Sequence, residues 1–329
     1  MKIFGLIGAV LLLLAPSSAF AGNVGFQEVR IANGDDKPLV VGIWYPTDAP
    51  TADHRLGTFT QTVAPGGAVA GRGLPLVVMS HGTGGWYGDH HDTAQDLARA
   101  GFVAAAVSHT GDTYDDHSRN IQMSGRPAHI KRLIDYMTAE WPDHDRIDAG
   151  RIGVFGFSSG GFTALVAAGA TPDFSKIEPH CQAHPDYFDC QLVKAAPREA
   201  VDRTRALPAS AWIHDPRIKA GVVAAPGLGF TFGREGLKDV RVPMQLWRAE
   251  NDHILPNPDY AEAVRINLPT PPQFHLVSGA DHFDFLAPCS DQLAASVPQI
   301  CKSAAGFDRA AFHADFNAQV TSFFQRTLR

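Results

Sequence analysis

Residues 151–160 read RIGVFGFSSG, and this stretch decides the fold. Its first half, residues 151–155, is apolar enough to predict a strand buried on both faces. Its second half leads into residues 160–169, a run of small residues that predicts a helix. Gly156 and Gly160 flank Ser158 in a G-x-S-x-G pattern, and glycine fits a turn this tight without clashes. The stretch therefore predicts a strand, a sharp turn and a helix, with the Ser158 hydroxyl above the sheet.

Segments typical of strands and helices alternate on both sides of this stretch. Short apolar runs rich in Val and Ala predict strands, and apolar residues at helical spacing predict helices. Strands are expected at residues 25–31, 39–45, 75–79, 102–107, 151–155, 219–224, 242–247 and 273–277, the first two as an antiparallel hairpin, and helices at 93–100, 127–139, 160–169 and 309–328. This alternation predicts the α/β class, with a mostly parallel central sheet and helices on both faces.

Residues 172–216 interrupt the alternation. They look irregular and contain several prolines and the first two cysteines. Because strands resume after them, we expect this segment to be a small cap insertion over the functional edge of the sheet. The length fits one large core and no linker is visible, so residues 22–329 are predicted to form a single domain.

The first 21 residues have the pattern of a secretory signal peptide. Lys2 supplies a positive end, residues 3–14 an apolar run, and Ala19-Phe20-Ala21 a small-x-small cleavage site. The apolar run is short for a membrane span, so no stable membrane insertion is expected. An uncleaved N-terminal anchor is the alternative. The pattern predicts a periplasmic or secreted protein.

The charge balance bears on the partners of the chain. The formal net charge is −6, and the sequence has no basic stripe that could displace counterions from phosphates. We therefore expect no nucleic-acid partner. The sequence indicates no cofactor, and it leaves the oligomeric state open.

The four cysteines fall into two local pairs, Cys181 with Cys190 and Cys289 with Cys301. An even count in an exported chain favours disulfides, and short loops are the easiest to close in the unfolded chain. We therefore predict both bridges. Zinc binding is the alternative, but the spacing lacks a C-x-x-C knuckle, so no metal is predicted.

A serine hydroxyl becomes a good nucleophile when a base takes its proton and a third group orients that base. Asp252 follows the predicted strand at residues 242–247, and His282 follows the strand at 273–277. Acid and base thus come after Ser158 in the order that this kind of turn requires. We predict a triad of Ser158, Asp252 and His282, with Glu250 as the alternative acid.

Two other histidines lie near these positions. His275 falls within a predicted strand, where a structural role is expected, and His253 lies beside the predicted acid, where a surface role is expected. His282 lies on a loop among aromatic residues, which favours it as the base.

Two fixed N–H donors are needed to stabilise a tetrahedral oxyanion. One is expected from Ser159, directly after the nucleophile. The other is expected from Thr83, in the glycine-rich run HGTGG at residues 81–85. A plain glycine-rich turn is the alternative interpretation of that run.

Two further polar clusters have no assigned chemistry. The run DHHD at residues 89–92 could bind a metal, but it precedes a predicted helix, where Asp92 or Thr93 would serve as a cap. Residues 109–116 follow the strand at 102–107 and could line the mouth of a substrate site.

The motifs together resemble the family of predicted dienelactone hydrolases, which is related to the platelet-activating-factor acetylhydrolases. The resemblance covers nearly the whole chain after residue 21, through HGTGG (81–85), GRP (125–127), RIGVFGFSSGG (151–161) and DHFDFLAPC (281–289). It implies the α/β-hydrolase fold and action on carboxylic esters. It also supports Ser158, Asp252 and His282 as the catalytic residues.

The sequence departs from these families at two places. Dienelactone hydrolases use cysteine where this chain has Ser158, so dienelactone is not the expected substrate. The acetylhydrolases draw their acid from the preceding strand, where this chain reads AAP at residues 224–226. Secreted cutinases share the triad order and a disulfide near the chain end, but their usual aromatic-then-methionine elbow is absent.

Three functions are consistent with these patterns to different degrees. The leading hypothesis is hydrolysis of a small-molecule ester through an acyl-enzyme on Ser158. An amidase or lactonase would use the same triad. A non-catalytic periplasmic binding protein would need a broken triad, and the sequence shows an intact one.

Overall fold

The computed structural model describes residues 22–329, so the predicted signal peptide at residues 1–21 lies outside the described residues. The strands are β1 (Asn23–Asn33), β2 (Asp36–Thr47), β3 (Ala52–Leu56), β4 (Phe59–Pro65), β5 (Leu74–Ser80), β6 (Val103–Ser108), β7 (Ile147–Phe157), β8 (Ile218–Ala224), β9 (Met244–Ala249) and β10 (Gln273–Val277).

The α-helices are α1 (His91–Arg99), α2 (Gly125–Ala139), α3 (Ser159–Ala167), α4 (Ile177–Ala183), α5 (Phe188–Ala195), α6 (Arg198–Arg205), α7 (Arg234–Leu237), α8 (Ala261–Asn267), α9 (Asp291–Ser296), α10 (Pro298–Cys301) and α11 (Arg309–Thr327). Short 3-10 turns lie at His144–Arg146, Phe174–Lys176, Ala209–Ala211, Gly229–Thr231 and His282–Phe285. None of the helices in residues 22–329 has the combination of length and apolar character needed to cross a membrane.

The strands form one sheet in the order β10-β9-β8-β7-β5-β6-β2-β1-β4-β3. From β10 to β6 every neighbouring pair is parallel, whereas β2 runs antiparallel to β6 and to β1. The predicted α/β class with a mostly parallel sheet is therefore confirmed. The predicted opening hairpin is also confirmed, as the pair β1 and β2.

Side chains of the central strands enter two separate cores because successive residues of a strand point to opposite faces. In β5, Leu76 and Val78 belong to the core on one face, and Val77 belongs to the core on the other. Helices α2, α3 and α8 contribute to the first core, and α1 and α11 contribute to the second. Covering both faces explains why the central strands are continuously apolar in sequence.

The topology determines where polar loops can gather. Strands β7, β9 and β10 are parallel, so their carboxyl ends lie at the same edge of the sheet. Loops at that edge of an open α/β sheet are where ligands usually bind. The predicted site residues Ser158, Asp252 and His282 each follow one of these strands.

The segment at residues 172–216 is more regular than the sequence predicted. It contains the three short helices α4, α5 and α6 and two 3-10 turns. Few of its side chains are buried: α6 buries Ala200 and Thr204 and exposes most of its charged residues. Each of the three helices has only seven or eight residues, which is too short for the apolar spacing of a helix to repeat clearly in the sequence. We call residues 172–216 the cap and the rest of the described chain the body.

A second hairpin, β3 with β4, was missed by the sequence analysis. In β4 the side chains alternate, with Phe59, Gln61 and Val63 buried and the threonines between them exposed. Gly57, with φ of +57°, makes the turn into it from β3. The alternation and the turn glycine are ordinary hairpin signals, but β3 is short and mostly exposed, which weakens its apolar pattern.

Candidate active site

Ser158 lies in the turn between β7 and α3, in a backbone conformation that side chains rarely adopt. Its φ is 54° and its ψ is −121°. A Cβ at Gly156 would overlap the Gly160 carbonyl, and a Cβ at Gly160 would overlap the Ser80 carbonyl. Both glycines are therefore required by close backbone approach. A non-glycine residue in such a conformation costs about 1–3 kcal/mol, and strain of this kind concentrates at functional sites.

The side chains of Ser158, His282 and Asp252 form one hydrogen-bonded chain. The Ser158 Oγ lies 3.1 Å from His282 Nε2, and His282 Nδ1 lies 2.9 Å from Asp252 Oδ2. Because a carboxylate accepts, the Nδ1–H donates to Asp252, which leaves Nε2 free to accept from the serine hydroxyl. Ser158 and Asp252 are each 8% exposed and His282 is 1% exposed. The structure thus brings the three predicted groups together, largely shielded from water.

Asp252 is fixed by its own loop. Its Oδ1 accepts hydrogen bonds from the backbone N–H of Ile254 at 3.1 Å and of Leu255 at 2.7 Å. These bonds leave Oδ2 for His282. The alternative acid, Glu250, lies away from the site, where it accepts from Ser278 Oγ and from the Gly279 N–H.

The other two histidines considered in the sequence analysis lie outside the hydrogen-bonded chain of Ser158, His282 and Asp252. His275 stacks on Trp247 with ring centroids 3.9 Å apart. His253 is exposed and pairs with Asp281 at 3.0 Å. The roles expected from the sequence, structural for His275 and superficial for His253, agree with these positions.

His282 begins a 3-10 turn that is capped at its N-terminus by two reciprocal hydrogen bonds. The Asp281 side chain accepts from the His282 N–H, and the Asp284 side chain accepts from the Asp281 N–H. Asp284 is buried and accepts from Arg309 Nε at 3.0 Å. The imidazole itself packs against Phe157, with ring centroids 4.8 Å apart. Backbone and ring are thus both held in place, as a proton-transfer group requires.

The loop at residues 81–85 passes directly over Ser158. A Cβ on Gly82 would lie 3.3 Å from the Ser158 Cβ. Thr83 Oγ1 and Ser159 Oγ are 2.5 Å apart, which ties the loop to the first residue of α3. Within residues 22–329 neither the Thr83 N–H nor the Ser159 N–H donates to another group. Two free N–H donors beside a serine, one of them at a helix N-terminus, suit a developing negative charge.

Comparison with solved structures identifies the fold. No protein-family model and no curated protein matches the sequence. Among solved structures, a ferulic acid esterase from Streptomyces cinnamoneus is similar at a TM-score of 0.62 and 20% identity, over 96% of this chain and 93% of that one. A dienelactone hydrolase from Anabaena variabilis is similar at a TM-score of 0.52 and 14% identity, over 92% and 99%. This chain has the α/β-hydrolase fold. The predicted resemblance is thereby confirmed at the level of the fold.

A buried ion pair, missed by the sequence analysis, supports the loop over Ser158. Asp112 accepts from the Gly84 N–H at 2.8 Å. Arg126 donates to the other oxygen of Asp112, to the His81 carbonyl, and to Thr163 Oγ1 at 3.1 Å. Each side chain of the pair is 3% exposed. The pair therefore holds both ends of the Thr83 turn. The sequence analysis did single out both segments, because Arg126 lies in the GRP motif and Asp112 lies in the run at residues 109–116.

Behind this pair lie two buried histidines, His81 and His109, and the contacts of His81 define its tautomer. The His81 Nδ1–H donates to the Gly82 carbonyl at 2.6 Å, and His81 Nε2 accepts from the His109 N–H at 3.0 Å. Burial and the nearby Arg126 charge hold the pKa of His81, and likewise that of His109, well below its usual value. Both rings are therefore neutral, and His81 acts as a rigid spacer beneath the loop.

The run at residues 89–92 does not converge on a common point. Asp92 accepts from His313 Nδ1 and from Asn317, whereas Asp89 accepts from the Trp86 N–H at 3.1 Å. His91 donates to the Gly88 carbonyl. Because their partners differ, residues 89–92 stabilise the local structure and do not form a shared metal site. Burial raises the pKa of Asp89 to about 7.

Two apolar cavities flank the loop over Ser158. The cap cavity contains Ser158 and Thr83, and its wall includes six apolar cap residues: Phe174, Ile177, Phe188, Leu192, Val193 and Val201. The C-terminal cavity begins on the other side of Thr83 and is walled mainly by apolar and aromatic residues: Phe59, Trp86, Phe157, Phe283, Leu286, Leu293, Val297 and Ile300. Thr83 is common to both cavities. The apolar space around Ser158 therefore adjoins a second apolar space at Thr83.

A disulfide closes the segment that walls each cavity. Cys181 is bonded to Cys190 in the cap, and Cys289 is bonded to Cys301 around α9 and α10. These are the two pairings predicted from the sequence. Because all four cysteines are bonded, none is available as a thiolate ligand for zinc.

Proposed function

We propose that this protein is an exported serine hydrolase that cleaves carboxylic esters through an acyl-enzyme on Ser158. The observation that carries the proposal is the hydrogen-bonded chain from Ser158 through His282 to Asp252, beneath two free N–H donors. The fold is compatible with many reactions, so the argument rests on these side chains.

The geometry supports a two-step reaction. His282 Nε2 takes the hydroxyl proton as Ser158 Oγ attacks the ester carbonyl carbon, and Asp252 stabilises the imidazolium that results. The Thr83 and Ser159 N–H groups stabilise the oxyanion. His282 then returns the proton to the leaving alcohol. Water, deprotonated by the same imidazole, attacks the acyl-enzyme and releases the acid and free Ser158.

The two cavities suit an ester with an apolar group on each side of the scissile bond. The acyl group occupies one cavity and the alcohol group the other, since the loop carrying Thr83 separates them. We expect the cap, residues 172–216 of a single domain, to set the acyl length that is accepted. Burial in apolar pockets with few polar groups is typical of small-molecule sites.

Two alternatives remain from other reaction classes. An amidase or a lactonase would use the same groups, and a panel of matched esters, amides and lactones separates them. The names of the two similar structures, an esterase and a dienelactone hydrolase, favour esters and lactones over amides. A binding protein without catalysis is disfavoured, because it would have no use for a strained serine with a hydrogen-bonded base.

Export is part of the proposal. It rests on the signal-peptide pattern of residues 1–21 and on two disulfides, which persist in oxidising compartments. Expression of the full chain in a bacterium should yield a periplasmic or secreted product that begins near Gly22. A cytoplasmic product with an intact N-terminus would contradict it.

The reaction is tested by removing the nucleophile. Ser158→Ala should lower hydrolysis of short nitrophenyl esters by about 10⁴-fold or more, because the covalent route is lost. Ser278→Ala, which removes a hydroxyl bonded to Glu250 on the surface, is the matched control and should leave the rate unchanged. A fluorophosphonate should label the wild-type protein and the control but not Ser158→Ala. An unchanged rate in Ser158→Ala would falsify the assignment.

A further inference from the structure

A second cluster of polar side chains lies at the junction of cap and body. His180 lies on α4 and His184 follows that helix directly, so the two residues are four apart and share one face. Asp259 comes from the body, between β9 and α8. One nitrogen of each histidine and one oxygen of Asp259 all lie within 4.8 Å of one another.

The spacing of these atoms suits a shared ion better than direct hydrogen bonding. His184 Nε2 and Asp259 Oδ2 are 3.8 Å apart, which is too long for a hydrogen bond. Zinc bonds of about 2.0–2.2 Å place two ligand atoms of a tetrahedral site about 3.3 Å apart. If His184 Nε2 and Asp259 Oδ2 moved about 0.5 Å closer together, both atoms could therefore bind one ion.

The two imidazoles are already oriented by stacking. His180 stacks on Phe230, with ring centroids 3.6 Å apart and an angle of 12° between the planes. His184 stacks on Tyr187, at 4.5 Å and 17°. Ordering long side chains is a main cost of binding, and rings held in advance avoid it.

A half-buried carboxylate adds negative charge beside the cluster. Tyr260 donates to Asp189 Oδ1 at 2.9 Å, and its hydroxyl oxygen lies 3.3 Å from His180 Nε2. The other oxygen, Asp189 Oδ2, is buried and has no hydrogen-bond partner in the described residues. Outer partners of this kind orient a ligating histidine and raise metal affinity. The Cys190 sulfur is also near, but it is bonded to Cys181.

We propose that His180, His184 and Asp259 bind a divalent transition-metal ion, with Zn²⁺ as the test ion, and that the ion fastens the cap to the body. Two imidazoles and one carboxylate are a ligand set suited to zinc and its neighbours in the first transition row. The helix that carries His180 begins with Ile177, which walls the cap cavity. The ion would thus stiffen one wall of that cavity without touching the reacting atoms.

Binding is measured on untagged protein after treatment with a chelator. Titration calorimetry with Zn²⁺ should show one saturable site, and Co²⁺ should give the visible absorption of a four-coordinate ion. His180→Gln and His184→Gln should each weaken binding by more than about 100-fold, since even outer-shell changes cost 10–100-fold. Tyr260→Phe, which removes an outer partner, should weaken it by about tenfold.

A matched control separates this site from ordinary surface pairs. His253→Gln removes an exposed histidine paired with Asp281, and Zn²⁺ affinity should be unchanged. Zn²⁺ should also slow proteolysis within residues 172–216 in the wild type and not in the double variant His180→Gln/His184→Gln. The double variant removes half-exposed side chains, and circular dichroism checks that it folds.

Two results would overturn the metal site itself. One is the absence of saturable Zn²⁺ binding, and the other is binding that survives in the double variant. Unaltered proteolysis of the cap at saturating Zn²⁺ would overturn the fastening role. Ser158→Ala should bind Zn²⁺ as the wild type does, so failure of the ester-hydrolase proposal and failure of the metal site are read separately.

Discussion

The two walls of the candidate site are closed in the same way but are supported differently. Each contains a disulfide loop, Cys181–Cys190 in the cap and Cys289–Cys301 in residues 283–309, which we call the C-terminal wall. In the cap, ion pairs such as Arg205 with Glu178 are partly exposed. In the C-terminal wall, Arg309 is buried and joins Asp284 to the Ile300 carbonyl.

This difference in support predicts that the two walls affect different properties, substrate selection in one case and the catalytic step in the other. Asp284 belongs to the 3-10 turn that begins with His282, so a change in the C-terminal wall reaches the proposed base directly. The cap contributes no member of the proposed triad. We therefore expect loss of a supporting contact in the cap to alter which esters are accepted, and loss of a supporting contact in the C-terminal wall to alter turnover itself.

The largest contrast should come from two arginine substitutions. Arg309→Met leaves Asp284 buried without its cation, which should lower the free energy of unfolding by about 3–5 kcal/mol and reduce kcat. Arg205→Met removes a partly exposed pair and should cost about 1 kcal/mol or less. Denaturant unfolding and ester kinetics on both variants measure this. Equal losses of stability would break the comparison.

Removing the disulfides should have similar effects on stability but unequal effects on activity. The two loops separate their cysteines by 9 and 12 residues, so each bridge should stabilise the fold by about 2–3 kcal/mol. Paired serine variants at Cys289 and Cys301 should lose kcat, because the wall beside His282 loosens. Paired variants at Cys181 and Cys190 should keep kcat on short esters and change KM on long ones. A larger loss of kcat in the Cys181 and Cys190 variant than in the Cys289 and Cys301 variant would contradict this prediction.

A buried histidine near the C-terminal wall gives a smaller, pH-dependent effect. His90 packs on the edges of Phe155 and Phe157, and neither ring nitrogen has a partner in residues 22–329. Burial lowers the pKa of His90 to about 3, so below pH of about 6.5 the unfolded chain takes up a proton that the native state excludes. Stability is therefore lost as the pH falls.

His90→Phe should remove this loss. The variant should gain about 2 kcal/mol relative to wild type at pH 5, since each pKa unit is worth about 1.4 kcal/mol. At pH 8 the proton-linked part of the gain should vanish. Thermal melts at the two pH values test it, and a gain that does not depend on pH would show that protonation is not its cause.

The smallest effects should come from filling each cavity in turn. Leu192→Trp narrows the cap cavity and Val297→Trp narrows the C-terminal cavity. Each should shift kcat/KM between small and bulky substrates by about tenfold, or about 1.4 kcal/mol. Leu192→Trp should act on acyl length and Val297→Trp on the alcohol. A panel that varies one group at a time shows whether the two variants discriminate on opposite sides of the ester.

The sequence predicted the parts of the site that depend on local order. Ser158 lies between a strand and a helix, and Asp252 and His282 each follow a strand, so chain order and topology together forecast their meeting. Thr83 and Ser159 were predicted in the same way, from glycine-rich turns at strand ends.

The parts that were missed depend on contacts between distant residues. Asp112 and Arg126 come from a loop and a helix that meet beneath residue 84, and nothing in their spacing reveals that both are buried. The His180, His184 and Asp259 cluster joins two segments far apart in sequence. The helices of the cap were missed because each is only seven or eight residues long, so the apolar spacing has too few repeats to stand out in the sequence.

The position of β10 at the edge of the sheet has a consequence for heat inactivation. This strand pairs on one side with β9 and its residues are partly exposed, yet the loop that follows it carries His282. Fraying along a single outer ladder would draw the imidazole from the serine while the other strands remain paired. On warming, catalytic activity should then be lost before the helices melt. Loss of turnover would therefore report local unfolding of the edge strand β10.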